Sequence, residues 1–570
     1  MSTKLSENHT CDVLVIGSGA GGMSTAITAA KNGLNAIIVE KEDVFGGTTA
    51  FSGGVLWIPG NSHCGVPDSR QAAVDYMKAE TGNLYDAETV EAYLDAGPEM
   101  LKFFEAETAV EFVPTLYPDY HPDAPGGVDA GRSVLAKPFD TSVLGPDIKR
   151  LRPPLSTITF MGMMFNSSNA DIKHFFNATK SLTSFAYVTR RLVAHFAEVA
   201  RYGRGTKVTS GNALAARLAK SCFDLGIPIY TSCPAKELIT SDGAIQGALV
   251  ESSGKTVKIT ARKGVVLAAG GFAHDLDKIR KAYPHLRRGG EHLSPVPAGN
   301  TGDGIDLGTS VGAKFDMHYP STSAWMPVSK VPTGKGTFKP FPHLLDRYKP
   351  GIIAVLKSGK RFTNESNSYH DVGTAMIEAC AGQEETACWL IADRPTIRKY
   401  GLGFAKPAPV PLRGYIANGY IQTGRTLKDL ARACGIDPTG LEDTIRTYNE
   451  GARKGEDAAF HKGRTSFNRY LADPDHTPNP AVGPVETGPF YALKVVMGDL
   501  GTFDGLQTTV EGQVLDTEMH PIPGLYAVGN DRASMMGGNY PGAGITLGPA
   551  MTFGFITGRH LASMKKEQIG

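Results

Sequence analysis

Net charge is almost missing from this chain: 58 Lys and Arg nearly cancel 57 Asp and Glu over 570 residues, leaving +1. Such a balance gives no electrostatic footprint for nucleic acid or for a strongly acidic partner, so a small-molecule ligand is expected. Cysteine is scarce. Cys11, Cys64, Cys222, Cys233, Cys380, Cys388 and Cys434 are odd in number, scattered and never spaced as CxxC. That pattern speaks against a disulfide framework and against a zinc site, and no metal is expected. No uninterrupted apolar run nears the roughly 20 residues that span a bilayer. Met1–Thr10 has neither a twin-arginine pair nor the apolar core of a signal peptide. The chain reads as a soluble cytoplasmic protein, long enough for two or three domains.

Glycine is what the chain has in excess, 67 copies against a usual share of about 7%, and the copies gather in motifs. Cys11–Ile16 is a short apolar run of the buried parallel-strand type, and Gly17-Ser18-Gly19-Ala20-Gly21-Gly22 follows at once. A helix through Ala26–Lys31 stops near Asn32-Gly33, and a second strand, Asn35–Val39, ends at Glu40. Strand, glycines, helix, strand and acid in this order make a βαβ unit with a carboxylate about 20 positions beyond the glycines. Gly17, Gly19, Ala20, Gly21 and Gly22 would let a pyrophosphate sit on the helix N-terminus; Glu40, with Lys41 beside it, would accept ribose hydroxyls.

A second small-residue loop, Gly46-Gly47-Thr48-Thr49-Ala50-Phe51-Ser52-Gly53-Gly54, resembles flavin proteins more than simple NAD dehydrogenases, which favours FAD held by Gly47, Thr48, Thr49, Ser52, Gly53 and Gly54. Lys263–Gly271, ending in Ala269, Gly270 and Gly271, is another buried strand with a glycine end, and Gly524–Asn530, ending in Gly529 and Asn530, is a third. Ala235, in the turn after the strand Ile227–Tyr230, and Asp303, in Asn300-Thr301-Gly302-Asp303-Gly304, return to the same ligand. Residues 235–262 alternate as a small antiparallel sheet does. The expected fold class is α/β: a discontinuous, Rossmann-like FAD-binding domain formed by 1–298 and 486–570, with an inserted α+β substrate and catalytic domain at 299–485.

One insertion, about 141–207, stands apart. From Ile172 to Lys207 the single acidic residue is Glu198, while Lys173, Lys180, Arg190, Arg191, Arg201, Arg204 and Lys207 supply positive charge. Phe185, Val188, Leu192, Phe196 and Val199 share one helical face. Two readings stand: peripheral contact with an anionic membrane, or a helix packed on its own domain with a solvated basic face.

Near the C-terminus, Gly537-Gly538-Asn539-Tyr540-Pro541-Gly542-Ala543-Gly544-Ile545-Thr546-Leu547-Gly548 sets a phenol beside a glycine-rich turn that opens a helix. A tyrosine hydroxyl and a backbone N–H aimed at one point can polarise a carbonyl. With Pro118-Asp119-Tyr120-His121-Pro122, Pro125-Gly126-Gly127 and Lys360-Arg361-Phe362-Thr363-Asn364-Glu365-Ser366, this turn makes the chain resemble the 3-ketosteroid Δ1-dehydrogenase family of fumarate reductase-like flavoproteins over nearly its whole length. The resemblance implies that the Tyr540 hydroxyl and the Gly544 N–H bind a ketone oxygen. It also implies that Tyr369 removes the adjacent proton, that Tyr120 supports it, and that hydride leaves the neighbouring carbon for flavin N5. It further brings Gly544, Ile545 and Leu547 to the cofactor and puts Gly47 where covalently flavinylated members have His, so FAD should be non-covalent.

Each tyrosine taken alone has a plainer reading: Tyr120 as loop packing beside Tyr117, Tyr369 as a core tyrosine, Tyr540 as an aromatic against the cofactor. Tyr319–Pro327 lacks the paired tryptophans of many members, and Thr502-Phe503-Asp504-Gly505 stands in place of Thr-Lys-Gly-Gly. The expected substrate is an apolar cyclic ketone, a 3-ketosteroid first, with a smaller ring such as 4-oxocyclohexanecarboxylate or a fumarate reductase-like enoate reduction as alternatives. No second nucleotide fingerprint is present, so a quinone-like electron acceptor is expected.

Overall fold

The computed structural model describes residues 5, 8–164, 174–175, 181–334 and 336–564. Asn8–Ile16 lies inside an eight-stranded sheet, and the side chains of its Val13, Leu14 and Val15 are all buried, as expected of a strand covered on both faces. It pairs in parallel with Ala36–Val39 on one side and with Lys255–Leu267 on the other. Ile229–Tyr230 extends the parallel run beyond Val39, and Pro521–Ala527 extends it beyond Leu267. Gln513–Leu515 closes that edge in antiparallel fashion. Strands from the beginning, middle and end of the chain are therefore neighbours. Ala235–Ser241, Ala244–Ser252 and the first half of Lys255–Leu267 form the antiparallel extension that their alternation suggested.

Helices Ala20–Lys31 and Leu547–Ser563 pack together because glycines let their backbones approach. A Cβ at Gly554 would stand 2.7 Å from the Gly21 carbonyl oxygen.

The second sheet has six strands, five of them in the order Thr337–Pro342, Ser323–Gly334, Phe490–Thr502, Ala387–Ala392, Ile352–Val355, with Gln422–Gly424 also on Phe490–Thr502. All its pairings are antiparallel. This corrects the expected boundary at 485. Phe490–Thr502 is the central strand of the second sheet, not a return to the first. Its apolar run ending in glycine resembles the cofactor strands, and sequence pattern does not say which sheet receives it. The start of the inserted domain also shifts, because bridges Ala313 to Asp516 and Phe315 to Leu506 tie the stretch after Asp303 to the cofactor side.

In the basic insertion, Lys173 and Lys180 lie outside the described residues. Leu182–Tyr202 is a helix started by Ser181, whose hydroxyl accepts from the Ser184 N–H, and stopped by Gly203 in the left-handed region. Only Ser184 and His195 of this helix are buried. Val188 and Leu192 are half-buried, whereas Leu182 (88%), Val193 (65%), Phe185 (59%) and Phe196 (50%) face solvent. The expected apolar face is thus split, with Val188 and Leu192 half-buried and Phe185 and Phe196 exposed. Among the described residues no helix is long and apolar enough to cross a membrane.

Candidate active site and cofactor cradle

Every parallel strand of the first sheet ends at one cavity. Gly17–Gly22 follow Ile16, Glu40–Glu42 follow Val39, Ala268–Gly270 follow Leu267, and Val528–Asn530 follow Ala527. A crevice at the carboxyl ends of parallel strands is where such sheets bind ligands. A Cβ at Gly22 would lie 2.2 Å from the Gly17 carbonyl oxygen, so only glycine lets the helix start this close to the strand end. Glu40 is buried. Its Oε2 accepts from Ser18 Oγ at 2.6 Å and Ser18 N at 3.2 Å, and its Oε1 accepts from Glu42 N at 3.0 Å. Lys41 Nζ donates to Thr301 Oγ1 at 2.6 Å and to Asp303 Oδ2 at 2.8 Å, tying two parts of the wall.

Of the residues expected at the cofactor, Gly17, Gly19, Ala20, Gly21, Gly22, Glu40, Lys41, Gly47, Thr48, Thr49, Ser52, Ala235, Ala269, Gly270, Asp303, Gly529, Asn530 and Leu547 line this cavity. Five do not. Gly53 is exposed, and a Cβ at Gly54 would meet the Ser210 backbone at 2.3 Å. Gly271 stands behind the wall with its N–H donated to Asp531 Oδ1 at 2.9 Å. Gly544 backs onto Val55, and Ile545 lines a neighbouring cavity instead. Sequence reasoning missed Ser18, Glu42, Arg152, Cys233 and Asn300. Asn300 carried a signal, since it opens the Asn-Thr-Gly-Asp-Gly turn; Arg152 carried none, because its segment is neither glycine-rich nor periodic.

Tyr120, Tyr369 and Tyr540, far apart in sequence, meet as one cluster. The Tyr120 and Tyr540 rings stack with centroids 5.5 Å apart and 13° between planes, and Tyr369 stands edge-on to both at 5.8 and 5.0 Å. The Tyr120 hydroxyl donates to the Tyr369 hydroxyl at 3.2 Å. Tyr369 is the first residue of the Tyr369–Ala379 helix, whose start is fixed by the Ser368 side chain accepting from Asp371 N. The Pro541 carbonyl accepts from Tyr120 N at 2.8 Å and from the Tyr76 hydroxyl at 2.6 Å, which holds the 120 segment against the Tyr540 turn.

His121 completes the frame. Its Nδ1 lies 2.8 Å from Glu80 Oε1 and its Nε2 3.0 Å from Asp371 Oδ2. Burial opposes its charge, but hydrogen bonds to Asp371 and Glu80 prevail and push its pKa up to about 11. A charged imidazole therefore spans the segments that carry Tyr120 and Tyr369.

Burial pushes the phenols of Tyr120 and Tyr369 well above their usual value. Burial also raises Tyr540, against the pull of the Tyr369 and Thr546 hydroxyls. The neighbouring His370 is driven down to about 4 by burial and is neutral. The cluster is thus a buried set of neutral donors, suited to receive negative charge developing on a ligand oxygen. Gly544 has φ +98°, and a Cβ there would stand 2.4 Å from the Val55 carbonyl oxygen. Its N–H donates to no protein acceptor among the described residues. A second cavity shares Gly529, Asn530, Thr546 and Ala550 with the first and reaches Phe503, whose ring is 6.3 Å from that of Tyr540.

Over residues 12–547 the sequence matches the FAD binding domain family. It is 42% identical over 567 residues to 4-oxocyclohex-2-ene-1-carboxylate 5-dehydrogenase of Sinomonas cyclohexanicum, covering 99% of this chain and 95% of that protein. It is 36% identical over 567 residues to 3-oxosteroid 1-dehydrogenase of Mycolicibacterium smegmatis, covering 97% of each. Among solved structures it resembles 3-ketosteroid Δ1-dehydrogenase of Sterolibacterium denitrificans, in complex with 1,4-androstadiene-3,17-dione. That likeness has a TM-score of 0.88 and 34% identity over 98% of this chain and 100% of the other. The chain belongs to the 3-ketosteroid Δ1-dehydrogenase family.

Like its family, the protein is an FAD-dependent oxidoreductase acting on CH–CH bonds. The cradle fits that cofactor. At Gly17 and Gly22 a Cβ would strike the Ala268 and Gly17 carbonyls, so glycine is what lets strand end and helix start meet at the cavity, and polar groups of Lys41, Thr48, Asn300 and Asp303 stand along the same wall.

Proposed function

We propose that this dehydrogenase introduces a C=C bond next to a ring ketone. The observation that carries the reading is the phenol cluster, with Tyr120 and Tyr369 hydroxyls 3.2 Å apart beside Tyr540 and a Gly544 N–H that has no protein acceptor. In this reading the Tyr540 hydroxyl and the Gly544 N–H bind the ketone oxygen and lower the cost of forming an enolate. Tyr369 takes the proton from the adjacent carbon as it gives its own to the Tyr120 oxygen, and Tyr120 in turn releases its proton toward solvent, because burial disfavours a resting tyrosinate. FAD, when bound, supplies the hydride acceptor. One proton and one hydride leave adjacent carbons, and a C–C single bond becomes an enone. Gly47, on the cradle wall, offers no side chain for covalent attachment, which supports non-covalent FAD.

The 1,2-position of a 3-ketosteroid is the first substrate reading, supported by the steroid dehydrogenases among the relatives. A smaller ring ketone of the 4-oxocyclohexanecarboxylate type is the second, favoured by the 42% identity to a dehydrogenase of such a compound. A fumarate-type dicarboxylate fits less well, since the cluster offers phenols, a backbone amide and a neutral His370. A quinone-like electron acceptor is proposed from the lack of a second nucleotide motif. Peripheral contact with an anionic membrane is proposed for the helix Leu182–Tyr202. Its exposed Leu182, Phe185, Val193 and Phe196 form one stripe, and at helical spacing Arg190 and Arg201 flank it.

Anaerobic mixing of the yellow holoenzyme with a panel of cyclic 3- and 4-ketones tests the central reading. Bleaching of the flavin by at least one of them is expected; flavin that stays oxidised with every ketone refutes the desaturase. Sedimentation with phosphatidylserine vesicles, lost in Phe185→Glu, tests the membrane contact.

A further inference from the structure

The second cavity holds a buried cation without an anion. Arg532 is 7% exposed. Its Nη1 makes one long hydrogen bond, 3.4 Å, to the Val510 carbonyl, and among the described residues no carboxylate stands within ion-pair distance of it. The adjacent Asp531 is occupied elsewhere, accepting from the Ala269 and Gly271 N–H groups. The guanidinium sits over Phe553, its Cζ 3.7 Å from the ring centroid, an attractive contact that takes up none of its N–H donors. Burial draws its pKa down to about 10, against the longer-range attraction of Asp86, Tyr319 and Glu511.

The location of this cation is informative. Among the described residues Arg532 is the one charged group on the second cavity, whose other walls include Phe503, Ser534, Met535 and Thr546. Thr546 belongs to the cofactor cavity as well, and its hydroxyl acts on Tyr540. The second cavity therefore borders the cofactor cavity, and through Thr546 it adjoins Tyr540, which itself lines neither. One of the two segments expected to differ from the family lines it, and the other touches the lining residue Ser534. Phe503 comes from Thr502–Gly505, and Tyr319, from the segment lacking paired tryptophans, donates its hydroxyl to the Ser534 carbonyl at 2.7 Å.

We propose that Arg532 anchors a carboxylate of the substrate, so that the protein acts on a monocyclic ketone carrying a carboxylate remote from its carbonyl rather than on a neutral steroid. This rests on the ring-ketone desaturase reading given above. An anion on the guanidinium would receive paired N–H donors in a planar fork, the geometry in which arginine binds carboxylates. A neutral steroid would leave the cation buried and unpaired.

The test uses the FAD-loaded protein and Arg532→Met, which keeps an unbranched side chain against Phe553. Binding of cyclohexanecarboxylate, a ligand without a ketone, is followed by calorimetry, and flavin reduction is followed with 4-oxocyclohexanecarboxylate and with its methyl ester. A charge-assisted pair predicts that Arg532→Met weakens cyclohexanecarboxylate binding by about 10- to 100-fold and collapses the preference for acid over ester toward one. Equal binding of cyclohexanecarboxylate by the two proteins overturns the anchor. So does an acid-to-ester ratio that Arg532→Met leaves unchanged while the flavin potential moves, since the cation would then serve the cofactor. If neither ketone bleaches the flavin yet cyclohexanecarboxylate binding still depends on Arg532, the anchor stands and the desaturase reading falls.

Discussion

Replacing Tyr540 by Phe removes one hydroxyl from the cluster, together with its coupling to the Tyr369 and Thr546 hydroxyls. The ring stays, with its stack on Tyr120 at 5.5 Å and its edge contact with Tyr369 at 5.0 Å. The Tyr120–Tyr369 hydrogen bond at 3.2 Å does not run through Tyr540, so the proposed proton path keeps its geometry. What disappears is one of two donors to the ketone oxygen, leaving the Gly544 N–H alone. Removing one oxyanion donor costs about 2.7–4 kcal/mol of barrier, a factor of about 10²–10³. The stability cost of one buried hydroxyl is smaller, about 1 kcal/mol, so Tyr540→Phe is expected to fold and to keep its FAD. Anaerobic stopped-flow reduction across a range of ketone concentrations gives the loss in kcat/KM, and the loss should appear there because both binding and rate use the donor. A folded, fully FAD-loaded Tyr540→Phe protein with wild-type kcat/KM refutes the assignment.

Tyr369→Phe should likewise retain FAD and lose most dehydrogenation; near-normal turnover would remove it as the base. His121 gives a pH signature, because its pKa rises from 6.5 to about 11 on folding. A group bound more tightly to its proton in the folded state stabilises fully below about pH 6.5 and loses that contribution as pH climbs toward 11. Thermal melts should fall through this window, and His121→Gln should flatten the slope; an unchanged slope would show that the clamp carries no linked proton. Gly22→Ala would force a Cβ to 2.2 Å from the Gly17 carbonyl, an overpacking that costs about 1–3 kcal/mol. It should lower the melting temperature and the FAD retained on gel filtration, and a variant with normal flavin content would contradict the close-approach argument.

The cradle was legible where its chemistry is local. Strand, glycines, helix, strand and Glu40 fall within one short stretch, and the structure brings Gly17–Gly22 and Glu40 to one cavity as that order implied. The three tyrosines were legible only through resemblance, since no spacing links positions so far apart, and packing alone brings their rings together. Phe490–Thr502 was assigned to the other sheet because a buried strand ending in glycine looks the same in either. Glu40 was expected to face ribose, yet its oxygens also hold Ser18 and Glu42, bonds that no motif announces. Arg532 gave no signal, because a single arginine after a glycine turn becomes notable only once it is buried without a partner.

The cofactor cavity draws its walls from residues 17–52, from 268–303 and from 528–550, and Tyr540 and Gly544 arrive with the last of these. A chain emerging from the ribosome therefore carries an incompletely walled crevice until residues 528–550 have emerged. The complete cradle forms only once that segment has joined the earlier ones. On the proposed assignment of Tyr540 and Gly544, the cofactor cradle and the carbonyl site are completed by the same segment.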